Sequence, residues 1–280
     1  KMSIIKDMDI VYDLKMADKE NEIHSNKWLE KWGREARLRM SPSQREQWDR
    51  HYDPIIKKFK EDKLTGKALA EWKYQRYMHD YMRVIHSVDR NVGRVIDYLR
   101  EHNLLDNTLI VYTSDQGFYM GEHGWFDKRF MYEESFRTPL LIYMPGGKRG
   151  DITEMVQNID YAPTFLQLAG VKVPSDIQGV SMLPLLKGKR VPWRKSLYYH
   201  YYEFPDEHNV CRHYGVKNQR YVLMHFYDDI DAWELYDLKT DPSQLNNIYG
   251  KPGTEAVTRE LKKELLRLQE QYNDPIRHKM

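Results

Sequence analysis

The feature that most constrains the fold is a change in the spacing of apolar residues near position 103. Between residues 71 and 102, apolar residues recur every three or four positions, which places them along one face of a long helix. Residues 108–113 form a short, β-branched apolar run, typical of a strand covered on both faces, and residues 139–144 resemble it. A helix followed by two strands separated by a loop predicts an α/β fold.

A second change in pattern begins near residue 196. Four short runs with strand character, at 197–202, 213–216, 221–226 and 233–237, are separated by turns that contain Asp, Asn or Gly. Residues 254–272 then form a charged amphipathic helix. We therefore predict a small antiparallel four-stranded sheet with one helix, in a domain of residues 195–280 that follows an α/β domain of residues 1–190.

Composition excludes several classes of function. The chain has 280 residues, with 44 Lys and Arg against 42 Asp and Glu, and its net charge of +2 gives no electrostatic argument for binding nucleic acid. No apolar run reaches the roughly 20 residues that a membrane-spanning helix needs. The single cysteine, Cys211, excludes an internal disulfide framework and a cysteine-rich zinc site.

The polar loop after the first predicted strand carries the clearest chemical signal. Asp115 and Gln116 offer a carboxylate and an amide oxygen, the hard ligands that Ca²⁺ or Mg²⁺ prefers. Neighbouring side chains on a regular strand point to opposite faces, so both reach one ion only if the chain bends, which Gly117 permits. The loop continues with His123 between two glycines and then Lys128, a set that suits an oxyanion substrate. The alternative is an ordinary polar surface loop with a solvated lysine.

Residues 112–141 resemble the second metal-binding block of the formylglycine-dependent sulfatases, which belong to the alkaline phosphatase superfamily. The similarity extends from about residue 74 to about residue 249, with matching segments at 88–94, 158–164, 178–183 and 233–242. It implies that the first domain is part of an alkaline-phosphatase-like mixed sheet with flanking helices. It also implies export to the periplasm, secretion or a lysosomal location.

The resemblance assigns roles to the residues of the loop. Asp115 and Gln116 would ligate the calcium ion of the family, with Mg²⁺ the lesser expectation, and Lys128 would contact the sulfate or the ester oxygen. His123 lies in the same pocket-forming loop and is a second catalytic candidate.

A strand in the small domain resembles a substrate-recognition strand of carbohydrate sulfatases, especially those similar to N-acetylglucosamine-6-sulfatases. Arg212 and His213, together with His208, would then bind sugar hydroxyls. The alternative for Arg212 and His213 is ordinary surface pairing.

One departure from the family is large. The family nucleophile is a formylglycine made from Cys or Ser in a Cys/Ser-x-Pro-x-Arg motif, and the chain has no such motif. The paired N-terminal aspartate ligands are also missing, and Asp228 with Asp229 is a poor substitute. Because the chain opens at Lys1 without a signal-peptide pattern, we expect it to be the C-terminal portion of a sulfatase. The missing half would supply the formylglycine and most calcium ligands, so this chain alone would be inactive.

The sequence therefore predicts a sulfatase that hydrolyses sulfate esters of a sugar. We expect two kinds of partner, the missing N-terminal half and the sulfated substrate, and an oligomer is a further option for covering exposed apolar surface. Two alternatives stay open. One is a phosphatase or phosphonate hydrolase of the same superfamily, and the other is a non-catalytic module that binds sulfated sugar or is stabilised by calcium.

Overall fold

A computed structural model describes residues 8–14, 37–205, 209–227 and 230–276. Its α-helices are α1 Pro42–Asp62, α2 Gly66–Glu101, α3 Glu133–Phe136, α4 Tyr161–Leu168, α5 Leu183–Leu186 and α6 Glu255–Gln271. Its strands are β1 Ile110–Thr113, β2 Tyr119–Met120, β3 Phe126–Asp127, β4 Leu140–Tyr143, β5 Ser196–Tyr201, β6 His213–Asn218, β7 Tyr221–Phe226 and β8 Ala232–Asp237. Short 3₁₀ turns occupy Leu105–Asn107, Glu122–Gly124 and Asn158–Asp160.

The described residues form two compact units. The first contains residues 89–119 and the described part of 127–280, and the second contains the described residues up to 88 together with 120–126. The long helix α2 contributes residues to both. The domain boundary predicted between residues 190 and 195 lies inside the first unit and stays a prediction.

In the second unit, α1 begins with a capping box. The Ser41 hydroxyl accepts from the Gln44 backbone N–H at 3.2 Å, and the Gln44 side chain accepts from the Ser41 N–H at 2.8 Å. Asp80 of α2 accepts a hydrogen bond from the Tyr52 hydroxyl of α1 at 3.0 Å. These contacts fix the start of α1 and tie it to α2.

In the first unit, β1 and β4 pair as an antiparallel ribbon, with Thr113 opposite Leu140 and Ile110 opposite Tyr143. Both strands lie close to their predicted positions. The prediction that these strands are covered on both faces is wrong for this structure, because Leu141 is 67% exposed and Tyr143 is 44% exposed. An apolar run specifies a strand, but it does not specify which segment of chain covers it.

The predicted small sheet is confirmed. Strands β5 to β8 pair in sequence order, each antiparallel to the next, and α6 packs against them. Leucines 261, 265 and 268 on one face of α6 join four buried side chains of the sheet, which are Tyr214, Val216, Leu223 and Leu235. None of the described helices combines the length and the hydropathy that crossing a bilayer requires.

Candidate functional site

The end of β1 is held by the side chain of Thr113. Its hydroxyl donates to the Pro139 carbonyl at 2.9 Å and lies 2.7 Å from the Tyr161 hydroxyl. Two residues later, the Asp115 backbone carbonyl accepts from the Asn158 amide at 2.6 Å. The backbone of this turn is therefore fixed while the Asp115 side chain is exposed and Gln116 is half-buried. We call residues 114–117 the acidic turn.

Gly117 closes the acidic turn, and its lack of a side chain is a packing requirement. A Cβ atom at this position would lie 2.0 Å from the Glu134 carbonyl oxygen and 2.6 Å from that of Arg137. The Gly117 N–H donates to the Ser135 carbonyl at 2.8 Å. The glycine predicted to allow a bend thus allows close contact with the segment around α3.

Lys128 lies in a second turn, residues 127–129, which we call the lysine turn. Its ammonium group lies 3.1 Å from one carboxylate oxygen of Asp127, and the Arg129 guanidinium lies 2.8 Å from the other. Asp127 and Arg129 both have positive φ, at 78° and 104°. Non-glycine residues seldom adopt this conformation, so the backbone is strained on both sides of Lys128. The lysine side chain is one-third exposed, so it is accessible to an anion.

His123 lies in the 3₁₀ turn Glu122–Gly124, which belongs to the second unit. Its φ is 56°, and its ring stacks on Trp125 with 5.3 Å between centroids. Asp115, Gln116 and Lys128 belong to the first unit. The structure thus places three of the four predicted loop residues in one unit, and the catalytic role predicted for His123 stays a prediction.

Arg212 supports the chain near the end of β5. Its guanidinium donates to the carbonyl oxygens of Tyr202 at 2.7 Å and Phe204 at 2.8 Å. These bonds shape a loop and give no evidence for a sugar contact. His208 lies outside the described residues.

His213 is fully buried in the small sheet. Its Nδ1 atom lies 2.8 Å from the Cys211 carbonyl, and its ring lies among Phe130, Tyr199, Tyr201 and Phe226. Burial lowers the pKa of His213 to about 4, so the ring is neutral near pH 7. A sugar would reach this ring only if the surrounding aromatic side chains moved, and surface pairing does not describe it either.

The predicted metal site stays a prediction, although the chemistry of its two residues fits the ion. Asp115 and Gln116 carry oxygen atoms of the type that Ca²⁺ selects. Within the described ranges, no group of three or more His, Cys, Asp or Glu side chains is arranged to hold a metal ion. Because Ca²⁺ takes six to eight oxygen ligands, a complete site needs others beside these two.

Sequence reasoning missed a buried pair between strand β5 and the segment that follows α6. His200 Nδ1 lies 2.6 Å from Asp274 Oδ2, and the same carboxylate oxygen accepts from the Tyr198 and Tyr202 hydroxyls. Burial lowers the pKa of His200, although the Asp274 contact opposes this shift. Burial alone would raise the pKa of Asp274, but the bonds from Tyr198 and His200 outweigh it and lower that pKa. The partners are far apart in sequence, so no local motif marks them.

Comparison with known proteins places two family patterns on the chain. The pattern described as sulfatase matches residues 18–171, and the pattern described as N-sulphoglucosamine sulphohydrolase, C-terminal, matches residues 121–271. An N-acetylglucosamine-6-O-sulfatase of Bacteroides thetaiotaomicron is 52% identical over 84% of the chain, which spans 43% of that protein. An arylsulfatase of Clostridium perfringens is 31% identical over 69% of the chain, which spans 41% of that protein.

Solved structures show the same relationship. A protein determined in complex with its substrate D-glucosamine-2-N,6-O-disulfate matches 96% of the chain with a TM-score of 0.87 and 46% identity. The chain spans 56% of that protein. A phosphonate monoester hydrolase from Silicibacter pomeroyi matches 76% of the chain with a TM-score of 0.66 and 26% identity, and the chain spans 44% of it. The predicted α/β fold class with a small antiparallel sheet is thereby confirmed, and the chain spans about half the length of the relatives it matches.

Proposed function

Because the chain belongs to the sulfatase family, we propose that it forms part of an enzyme that hydrolyses sulfate esters of a sugar, with 6-O-sulfated N-acetylglucosamine as the sugar unit. The observation that carries this proposal is the match to the sulfatase pattern over residues 18–171. That range contains the acidic turn and the lysine turn. The 52% identical relative supports the choice of sugar.

In this proposal the two turns have different tasks. Asp115 and Gln116 supply oxygen ligands to a calcium ion, which when bound stabilises negative charge on the transferring group. Lys128 neutralises charge on the sulfate or on the departing sugar oxygen. The Asp127 carboxylate lies 3.1 Å from the lysine ammonium and pairs with it.

The proposal requires groups that the described residues do not contain. We assign the formylglycine nucleophile and the remaining calcium ligands to a portion of the whole enzyme outside this chain. The fraction of each relative that the chain spans supports this assignment. We also propose export from the cytoplasm, on the family relationship alone.

The test uses the whole enzyme and the 6-sulfate and 6-phosphate of N-acetylglucosamine. We expect turnover of the sulfate ester to exceed that of the phosphate ester, and a calcium chelator to abolish it. The phosphate ester is the comparison substrate because a phosphonate monoester hydrolase shares the fold.

Lys128→Ala should lower kcat roughly 10²–10³-fold, the usual effect of removing one charge-stabilising group. Lys172→Ala is the matched control, because Lys172 is exposed in the same unit and should leave kcat unchanged. Equal turnover of both esters, or full activity of Lys128→Ala, would refute the proposal. Turnover by the 280-residue chain alone would refute the assignment of the nucleophile to another segment.

A further inference from the structure

We propose that Ser135 is a positioning residue that sets the lysine turn relative to the acidic turn. The proposal rests on the function proposed above for Lys128, and it adds a residue to which the sequence analysis assigns no role. It follows from two hydrogen bonds that Ser135 accepts, one at its side-chain hydroxyl oxygen and one at its backbone carbonyl oxygen.

Ser135 lies in the one-turn helix α3 and is only 6% exposed. Its hydroxyl oxygen accepts a hydrogen bond from the Arg129 N–H at 2.9 Å, immediately after Lys128. Its carbonyl oxygen accepts from the Gly117 N–H at 2.8 Å, immediately after Gln116. One buried residue is therefore bonded to both turns.

The contact on the acidic side tolerates little movement. The Glu134 and Arg137 carbonyl oxygens leave no space for a Cβ atom on Gly117. This close packing means that the segment around α3 and the acidic turn move together. A displacement of Ser135 would therefore displace the backbone that follows Asp115 and Gln116.

The contact on the lysine side stabilises a strained conformation. Arg129 has a φ of 104°, a strained backbone conformation for a residue with a side chain. Two hydrogen bonds to its backbone hold it there, from its N–H to the Ser135 hydroxyl and from the Tyr199 hydroxyl to its carbonyl. Loss of the first bond would relax the backbone next to Lys128.

The two bonds can be separated experimentally. Ser135→Ala removes the hydroxyl that holds the lysine turn and keeps the carbonyl that holds the acidic turn. In the whole enzyme we expect kcat to fall roughly 10- to 100-fold, because small displacements of a charge-stabilising group have effects of this size. The calcium concentration for half-maximal activity should not change. Ser135→Thr keeps a hydroxyl and should restore most of kcat.

Coupling to Lys128 distinguishes positioning from general loss of structure. In a Lys128→Ala background, Ser135→Ala should cause no further fall in kcat, because the group that it positions is gone. Ser196→Ala is the matched control. Ser196 is equally buried and its hydroxyl donates to Glu264, away from both turns. This variant should lower the melting temperature and leave kcat unchanged.

Three results would overturn the proposal. They are an unchanged kcat in Ser135→Ala, an equal fall in kcat in the wild-type and Lys128→Ala backgrounds, and a parallel loss of calcium activation. Full activity of Lys128→Ala would instead refute the proposed function, whatever Ser135→Ala does.

Discussion

The four-stranded sheet and the β1–β4 ribbon belong to one unit and are stabilised in different ways. Four side chains along β7 have no exposed surface, namely Val222, Leu223, Met224 and Phe226. In the ribbon, Leu141 and Tyr143 are exposed, and the lysine turn contains strained backbone. The comparison indicates that apolar burial stabilises the sheet, whereas hydrogen bonds and close contacts fix the turns.

The sheet also supports the lysine turn and the segment that follows it. The Tyr199 hydroxyl of β5 donates to the Arg129 carbonyl, and Lys217 of β6 pairs with Glu133. The Tyr132 hydroxyl donates to Glu234 of β8 at 2.7 Å. Three strands of a well-packed sheet thus contact residues 129–133. This arrangement fits the role proposed for Lys128, because a strained turn keeps its geometry only when a rigid scaffold holds it.

The largest expected effect separates the two regions by stability. Leu235→Ala should reduce the free energy of unfolding by about 2–5 kcal/mol, because it leaves a cavity in the sheet core. Leu141→Ala removes the same atoms from an exposed position and should cost less than about 0.5 kcal/mol. Urea unfolding of the 280-residue chain at two protein concentrations measures both.

Equal losses for the two leucine variants would contradict the comparison. If the Leu141→Ala loss grows with protein concentration, a second copy of the chain covers the ribbon. The ribbon would then be the interface of the oligomer that the sequence analysis offers as an option.

The next largest effect is the change in the free energy of unfolding with pH, which depends on His213 in the sheet. The pKa of His213 is about 4 in the folded state and near 6.5 when the chain unfolds, so the unfolded state binds the proton first as the pH falls. The stability associated with neutral His213 is present above pH 6.5 and is lost between pH 6.5 and 4, by up to about 3 kcal/mol.

His213→Phe should weaken the dependence of the free energy of unfolding on pH, measured by urea unfolding at pH 4.5, 5.5 and 7. Part of the slope should remain, because the pKa of His200 is lowered in the same direction. His86→Gln removes an exposed histidine and should leave the slope unchanged. A wild-type chain whose stability does not change between pH 7 and 4.5 would show that His213 is accessible to protons without unfolding.

Sequence reasoning succeeded where a pattern is local. Short strand-like runs separated by turn residues located β5 to β8, and helical spacing located α2 and α6. The loop that contains Asp115 and Lys128 was visible because several unusual residues follow one strand. The features that sequence reasoning did not predict depend on contacts between segments that are distant in the chain. Burial of His213 requires Phe130 and Phe226 around its ring, and the link through Ser135 requires one residue to bond two turns.

The smallest expected effect tests close packing in the acidic turn. Gly117→Ala should reduce the free energy of unfolding by about 1–3 kcal/mol, because the added methyl group meets two carbonyl oxygens of the backbone. Gly93→Ala is a matched control in α2, where a Cβ atom meets nothing within 4 Å. It should stabilise the chain by up to about 1 kcal/mol, since alanine favours helix and restricts the unfolded state. If urea unfolding shows a loss of stability in Gly117→Ala and a gain in Gly93→Ala, the result supports an acidic turn that is fixed by close contact. If Gly117→Ala stabilises the chain as Gly93→Ala does, the segment around α3 can move away, and the acidic turn is not held by it.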